Sequence, residues 1–150
     1  ISIINQVYMK QLSGAAMFFV HSAKLQSILA RKLDSSLGGL SLNEFIILFH
    51  LSQSDGEKMR RIDLADKLGL TASGITRLLL PMEKIGLVGR EVNEHDARVS
   101  YVCLARGGKS KLADALERIE EIAEDCISER QSKHIADISA FIVELSRSFK

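Results

Sequence analysis

The stretch from Arg60 to Leu104 constrains the fold more than any other part of the chain. Its residue pattern predicts a short helix, a tight turn at Gly69, a second helix that begins after Thr71, and two strands joined by a polar turn. A helix of this kind can enter the major groove of DNA, and a β-ribbon beside it can reach a neighbouring minor groove or the phosphate backbone. The segment therefore predicts a helix-turn-helix followed by a β-wing.

Each of the two helices in this segment has an apolar face and, on the opposite side, a polar face. Gly69 suits the turn because glycine tolerates a positive φ, and Thr71 offers its hydroxyl as the N-cap of the second helix. The predicted core-facing residues of the two helices are Ile62, Leu64, Ala65, Leu68, Ile75, Leu78, Leu79 and Met82. The opposite face of the second helix, near its N-terminal end, carries Ala72, Ser73, Thr76 and Arg77. Small side chains, hydroxyls and free N–H groups there would let the helix approach phosphates and base edges.

Pro81 interrupts the second helix because it has no N–H and its ring clashes with the carbonyl of Arg77. We expect the helix to continue with a kink, since Met82 and Ile85 keep the apolar rhythm. The alternative is that the helix ends near Leu80.

The β-wing is predicted from two runs, 87–92 and 99–104, that are rich in β-branched and aromatic residues. Gly86 ends the preceding helix. The turn 93–98 between the runs contains Asn, Asp and several charged side chains, as turns commonly do.

Several short motifs occur in an order that is typical of one family. They are Leu-Ser-Leu-Asn-Glu-Phe at 40–45, Leu-Ala-Asp-Lys-Leu at 64–68, Ile-Thr-Arg-Leu at 75–78, Glu-Lys-Ile-Gly-Leu-Val at 83–88, Asp-Ala-Arg at 96–98, Val-Cys-Leu at 102–104 and Gly108. In these motifs the chain resembles the MarR family of winged helix-turn-helix transcription regulators, from its first helix to its last. The chain departs from the pattern at Leu80 and Pro81, where polar or charged residues are frequent, and at Ala105, where a threonine cap is common.

The resemblance implies a homodimer that binds a pseudo-palindromic operator, usually as a repressor. It implies that Thr76 and Arg77 contact the major groove or its phosphates, that Arg98 enters the minor groove, and that Asp96 orients a neighbouring arginine. Physical chemistry agrees, because an arginine meets enhanced negative potential in a narrow minor groove. A carboxylate two residues away could hold that guanidinium, or the one of Arg77, through a charge-assisted hydrogen bond. The predicted DNA-binding residues are Thr71, Ala72, Ser73, Thr76, Arg77, Arg61, Arg90, His95, Asp96 and Arg98.

Charge is distributed unevenly although the net charge is only +1. Basic residues lie in the predicted DNA-binding lobe, at Lys58, Arg60, Arg61, Lys67, Arg77, Lys84, Arg90 and Arg98. Acidic residues crowd the following helix, at Asp114, Glu117, Glu120, Glu121, Glu124, Asp125 and Glu129. This asymmetry favours a basic lobe that faces DNA. The alternative is that each of these residues is an ordinary solvated side chain, which is the simpler interpretation of any one of them alone.

The length of 150 residues and the hydrophobic fraction of 46% predict one domain, mainly α with a small β-wing. We expect residues 1–34 and 106–150 to form a helical dimerisation lobe and residues 41–104 to form the winged-helix lobe. The apolar run 14–20 is too short to span a bilayer. With no targeting segment and only two cysteines, Cys103 and Cys126, we expect a cytoplasmic protein without disulfides or membrane contact.

The two ends of the chain carry apolar helical faces that need a partner surface. Such a seam could pack on the domain body, or on the partner's first and last helices, which the family resemblance favours. The predicted dimer interface comprises Ile4, Tyr8, Leu12, Ile135, Ile138, Ile142, Leu145 and Phe149. A two-fold dimer would hold two recognition helices about one DNA turn apart.

No catalytic, cofactor-binding or metal-ligating motif is present in the sequence, so we expect neither an enzyme nor a cofactor. Histidines among phenylalanines suggest an effector pocket for a small aromatic or phenolic molecule, formed by Phe18, His21, Phe45 and Phe49. A histidine satisfied at a helix interface is the simpler interpretation of His21. The alternative to a DNA-binding regulator is a winged-helix protein–protein interaction module that does not bind DNA.

Overall fold

The computed structural model describes residues 11–96 and 98–149. Its helices are α1 (Gly14–Asp34), α2 (Leu42–Gln53), α3 (Arg61–Leu68), α4 (Ala72–Lys84), α5 (Arg106–Cys126), α6 (Glu129–Ser132) and α7 (Ile135–Arg147). Its strands are β1 (Lys58–Arg60), β2 (Val88–Val92) and β3 (Ser100–Leu104), and a short 3₁₀ turn, Asp55–Glu57, precedes β1. The predicted fold class, mainly α with a small β-wing, is confirmed.

The sheet has three antiparallel strands in the order β1-β3-β2, whereas the sequence pattern predicts only two. Strand β1 pairs with β3, with Lys58 opposite Cys103 and Arg60 opposite Tyr101. The three residues of β1 are too few to show an alternating pattern, and they become a strand by pairing with a distant segment. The wing hairpin is confirmed, with Val88 opposite Leu104 and Val92 opposite Ser100.

The helix-turn-helix forms as the sequence predicts. Gly69 caps α3 in the left-handed conformation at φ 66°, and the N–H of Leu70 donates to the carbonyl of Ala65. The Thr71 Oγ1 accepts from the N–H of Gly74 at 3.1 Å, which makes Thr71 the N-cap of α4. One core prediction is wrong, because the Ile62 side chain is 60% exposed in the first turn of α3.

Helix α4 continues through Pro81 and ends at Lys84, so the alternative end near Leu80 is wrong. Ile75, Leu79 and Met82 are buried, as their spacing predicts. Ile85 is 68% exposed and does not extend the core face of the helix, because the helix is already capped at that residue.

The hydrophobic core lies within the winged-helix lobe, where α2, α3 and α4 pack with the sheet and with the first half of α5. Its fully buried large side chains are Leu37, Leu40, Ile47, Leu48, Leu51, Leu64, Ile75 and Met82. This core fixes the orientation of α4 relative to the wing.

Glycines let the start of α5 approach the turn that leads into β2. A Cβ on Gly108 would lie 2.1 Å from the carbonyl oxygen of Leu87, and one on Gly107 would lie 2.7 Å from that of Gly86. The N–H of Ala105 donates to the same Leu87 carbonyl at 3.1 Å. Only glycine fits at position 108 without backbone movement.

Helices α1 and α7 contribute little to this core. Leu33 is the only buried residue of α1, and α7 has none. Aromatic rings join α1 to α7 and to the residues just after it, with centroids 5.4 Å apart for Phe18 and Phe141 and 5.9 Å apart for Phe19 and Phe149. Most of their apolar surface remains exposed in the single chain.

Candidate nucleic-acid interface

The N-terminal half of α4 presents the predicted polar surface. Ala72, Ser73 and Arg77 are exposed, and the Ser73 hydroxyl lies 3.1 Å from the Thr71 Oγ1. Thr76 is half-buried, and its hydroxyl donates to the Ala72 carbonyl at 2.9 Å. The Thr76 hydroxyl proton is therefore committed within the helix, and only its lone pairs remain for a ligand.

A cleft of about 240 Å³ lies between the start of α3 and the base of the wing. Among the residues that line it are Arg60, Arg61, Ala72 and Arg98. The structure thus brings together three predicted DNA-binding residues from three separate segments. Three guanidinium groups around one cleft favour an anionic ligand such as a phosphate.

Arg60 is a candidate site residue that the sequence prediction did not include. Its guanidinium forms a bidentate ion pair with Asp63, at 2.8 and 3.0 Å. This pair raises the pKa of Arg60 and lowers the pKa of the Asp63 carboxyl, because each hydrogen bond favours the charged form. The adjacent arginines at 60 and 61 are the sequence signal that could have identified it.

A second, smaller cleft lies between α4 and the sheet, and Arg61, Thr76 and Arg90 line it together with Glu83 and Tyr101. The Nε of Arg90 donates to Glu83 Oε1 at 2.7 Å. Arg90 is therefore tied to the recognition helix. Its terminal nitrogens have no hydrogen-bond partner among the residues that the structure describes.

The wing tip is shaped by side chains that bond to the backbone. Asn93 Oδ1 accepts from the N–H groups of His95 and Asp96, at 2.8 and 3.2 Å. Asp96 Oδ1 accepts from the backbone N–H of Arg98 at 2.9 Å. The Asp96 carboxylate thus bonds to the backbone of Arg98, and its role in holding a guanidinium stays a prediction. His95 and Arg98 are exposed.

The arginines expected to face DNA differ in how far their charge is neutralised. Within residues 11–96 and 98–149, Arg61, Arg77 and Arg98 form no ion pair, whereas Arg60 and Arg90 each pair with a carboxylate. Lys58 pairs with Glu91, which raises the pKa of Lys58 and lowers that of Glu91. Positive charge that no carboxylate neutralises therefore lies at the start of α3, on α4 and on the wing.

Cys103 lies on the sheet face that carries the Lys58–Glu91 pair, and its thiol is half-buried with Sγ 3.7 Å from Glu91 Oε2. Burial, with the nearby carboxylate, raises the pKa of the Cys103 thiol. A thiol of this kind is less reactive than a free cysteine, because the thiolate is the nucleophile.

The four predicted effector residues do not line one cavity in the single chain. The Phe45 and Phe49 rings stack at 6.2 Å, Phe18 contacts Phe19 and Phe141, and His21 is exposed. An apolar groove of about 360 Å³ between α1 and α7 includes Phe18 and none of the other three. Phe18 therefore belongs to a different surface from Phe45 and Phe49.

The predicted dimer residues are largely exposed where the structure describes them. Ile4 and Tyr8 lie outside the described residues. The exposed members are Leu12, Ile135, Ile138, Ile142 and Phe149, and Leu145 is half-buried. The exposed set forms an apolar surface on the ends of the chain.

Neither a metal site nor a membrane span occurs in the part of the chain that the structure describes. No three of its His, Cys, Asp and Glu side chains are grouped so that they could hold a metal ion. None of its helices combines the length and apolar character that crossing a membrane requires.

Comparison with known proteins agrees with this architecture. Residues 40–100 match the model of the MarR family. No curated protein sequence is significantly similar to the chain. Among solved structures, AbsC, a MarR family transcriptional regulator from Streptomyces coelicolor, is 24% identical with a TM-score of 0.75, over 93% of this chain and 99% of AbsC.

Two further structures share the fold. The transcriptional regulator BldR from Sulfolobus solfataricus is 22% identical with a TM-score of 0.76, over 91% of this chain and 99% of BldR. Sco3205, a MarR family regulator from Streptomyces coelicolor solved in complex with DNA, is 22% identical with a TM-score of 0.74, over 90% of this chain and 89% of Sco3205. The predicted resemblance is confirmed: residues 40–100 match the MarR family model, and the chain shares the winged-helix fold of these MarR family structures.

Proposed function

We propose that the protein is a transcriptional regulator, not an enzyme, that binds double-stranded DNA sequence-specifically as a homodimer. The observation that carries this proposal is the position of the arginine-lined cleft. It lies directly beside the exposed N-terminal end of α4, which presents Ser73 and Arg77. Helix α4 would lie in the major groove while Arg98 on the wing reaches the minor groove.

The main phosphate contacts would come from the arginines that have no ion pair, and the terminal nitrogens of Arg90 could add a further contact. Arg61, Arg77 and Arg98 would supply about three phosphate or minor-groove contacts per protomer, hence about six per dimer. Each phosphate neutralised releases condensed counterions, so log K should fall with log salt with a slope of about −5. Two other proteins with this fold, Sco3205 and reduced AbfR, have been solved bound to DNA, and this supports DNA binding as the function of the present chain.

Homodimerisation is supported by the apolar surface of α1 and α7. Phe19, Leu25, Ile138 and Ile142 are each about half exposed, which is more apolar surface than a monomer commonly leaves in one region. A two-fold interface that pairs these helices with their copies would bury it and fix the distance between the two α4 helices.

Sedimentation measurements test the dimer. The wild type should sediment as a dimer at micromolar concentration. Ile138→Asp with Ile142→Asp should shift it to monomer, while Glu144→Ala on the same helix should not. A monomeric wild type at high concentration would contradict the dimer.

Selection of genomic fragments by the purified protein tests DNA recognition. The expected result is an inverted repeat whose half-sites are spaced about one helical turn, roughly 10 base pairs. Weak binding without sequence preference, or none, would favour the protein–protein interaction module instead.

We propose repression as the regulatory outcome, relieved by a small aromatic or phenolic effector. The groove between α1 and α7, which the proposed dimer interface would enclose, supports an effector site better than the four residues predicted from the sequence. Its lining is mostly apolar and includes Phe18, Phe19, Leu29 and Phe149. A reporter placed behind the recovered operator should be silenced by the wild type. A phenolic ligand should release the operator from the wild type and not from Phe18→Ala.

A further inference from the structure

One apolar side chain interrupts the exposed polar face of the recognition helix α4. Ser73, Arg77, Leu80 and Lys84 are all exposed and are spaced by four, three and four residues. This spacing places them in one stripe along the helix, because residues three and four apart share a face. Leu80 is 46% exposed within that stripe.

Packing within the protomer does not explain Leu80. The core face of α4 is occupied by Ile75, Leu79 and Met82, which are buried on the opposite side of the helix. A single exposed leucine is ordinary on a protein surface. The position of this one is informative because it shares its face with Ser73 and Arg77, the residues proposed to approach DNA.

The helix geometry brings Leu80 within reach of bases beyond those near Arg77. At about 1.5 Å of rise per residue, Leu80 lies about 4.5 Å beyond Arg77 and about 10 Å beyond Ser73 along the axis. Base pairs are separated by about 3.4 Å, so Leu80 would face a pair one or two steps past the one nearest Arg77.

The chemistry of that contact is restricted, because a leucine can neither donate nor accept a hydrogen bond. The apolar group on the major-groove edge of a base pair is the C5-methyl of thymine. A G·C pair has no such methyl group, so Leu80 would desolvate polar edge atoms there without gaining an apolar contact in return.

We propose that Leu80 recognises the C5-methyl of one thymine in each half-site and so determines specificity at that position. This inference rests on the proposed function and assigns part of its sequence preference. It predicts that the operator contains a fixed A·T pair at the place reached by the C-terminal half of α4.

Single deoxyuridine substitutions in the recovered operator test the proposal, because uracil lacks only the methyl group of thymine. Each thymine is replaced in turn, symmetrically in both half-sites, and affinity is measured for the wild type and for Leu80→Ala. One position should weaken wild-type binding about fourfold per half-site, as expected for one buried methyl group. At that position the deoxyuridine substitution should not weaken DNA binding by Leu80→Ala.

Ile85→Ala is the matched control, since Ile85 is also exposed and apolar but lies off the stripe, just after the helix. The loss of affinity that each deoxyuridine substitution causes should be the same for Ile85→Ala as for the wild type. Equal sensitivity of wild type and Leu80→Ala at every thymine would overturn the role of Leu80 while operator binding, and so the proposed function, stands. Recovery of no operator would overturn both.

Discussion

Glu83 on the recognition helix accepts a hydrogen bond from the Nε of Arg90 on β2, at 2.7 Å. The pair joins α4 to the wing across seven residues of chain. The Arg90 side chain is 53% exposed, so the pair should stabilise the fold by no more than about 1 kcal/mol. Its principal effect is to hold the Arg90 guanidinium in one orientation with its terminal nitrogens available.

Arg90→Ala should therefore affect DNA binding more than stability. The expected result is a weaker operator affinity with a nearly unchanged melting temperature. The salt slope should fall by about 0.9 for each phosphate that the variant no longer neutralises. Arg130→Ala on α6, far from the winged helix in sequence, is the control and should leave the slope unchanged. A lower melting temperature with an unaltered slope would assign Arg90 a structural role only.

The wing tip makes a separate prediction. Arg98 is exposed, its backbone N–H donates to Asp96, and its guanidinium forms no ion pair with any residue that the structure describes. Arg98→Ala should weaken operator binding and reduce the salt slope by about one unit per protomer without unfolding the protein. Anisotropy titrations at several salt concentrations, with circular dichroism for folding, make the measurement. An unchanged affinity would remove Arg98 from the interface.

Gly108→Ala should be strongly destabilising. The added Cβ would lie 2.1 Å from the Leu87 carbonyl oxygen and 2.9 Å from Leu104 Cδ1, so the start of α5 must move away from the wing. We expect a loss of about 3 kcal/mol in the free energy of unfolding.

Gly14→Ala, near the start of α1, is the control for this substitution because, among the described residues, no atom beyond its own helix backbone and chain neighbours lies within 4 Å of its Cβ position. It should leave stability unchanged or raise it by less than about 1 kcal/mol. Similar stabilities for the two variants, measured by urea unfolding, would contradict the close approach at Gly108.

His50 predicts a pH dependence of stability. Burial and the nearby charge of Lys67 lower the pKa of His50 below its ordinary value of 6.5. As pH falls through 6.5 the unfolded chain takes up a proton that the folded protein does not, so stability is lost until pH reaches the lower, folded-state pKa. The free energy of unfolding should fall more from pH 7.5 to 5.5 in the wild type than in His50→Gln. Parallel pH profiles would exclude this contribution.

Local chemistry made much of the DNA-binding lobe predictable from the sequence. Gly69 and Thr71 determine the turn and the cap within a few residues, and the spacing of Ile75, Leu79 and Met82 defines the buried face of α4. Such features depend on neighbours in the chain, so they are visible without the structure.

Features that depend on distant segments were missed or assigned wrongly. Strand β1 exists because it pairs with β3, and Arg90 is oriented by Glu83 on another element. Ile62 fits the apolar spacing but lies outside the core, since it belongs to the first turn of α3.

The measurement that tests dimeric operator recognition most directly compares two forms of the recovered operator. One is native, and the other has about half a helical turn, roughly 5 base pairs, inserted between its half-sites. If two α4 helices are held in one dimer, the insertion should reduce affinity at least tenfold, and a full-turn insertion of roughly 10 base pairs should restore part of it. Equal affinity for the native and half-turn sites would contradict recognition by a dimer with fixed helix spacing.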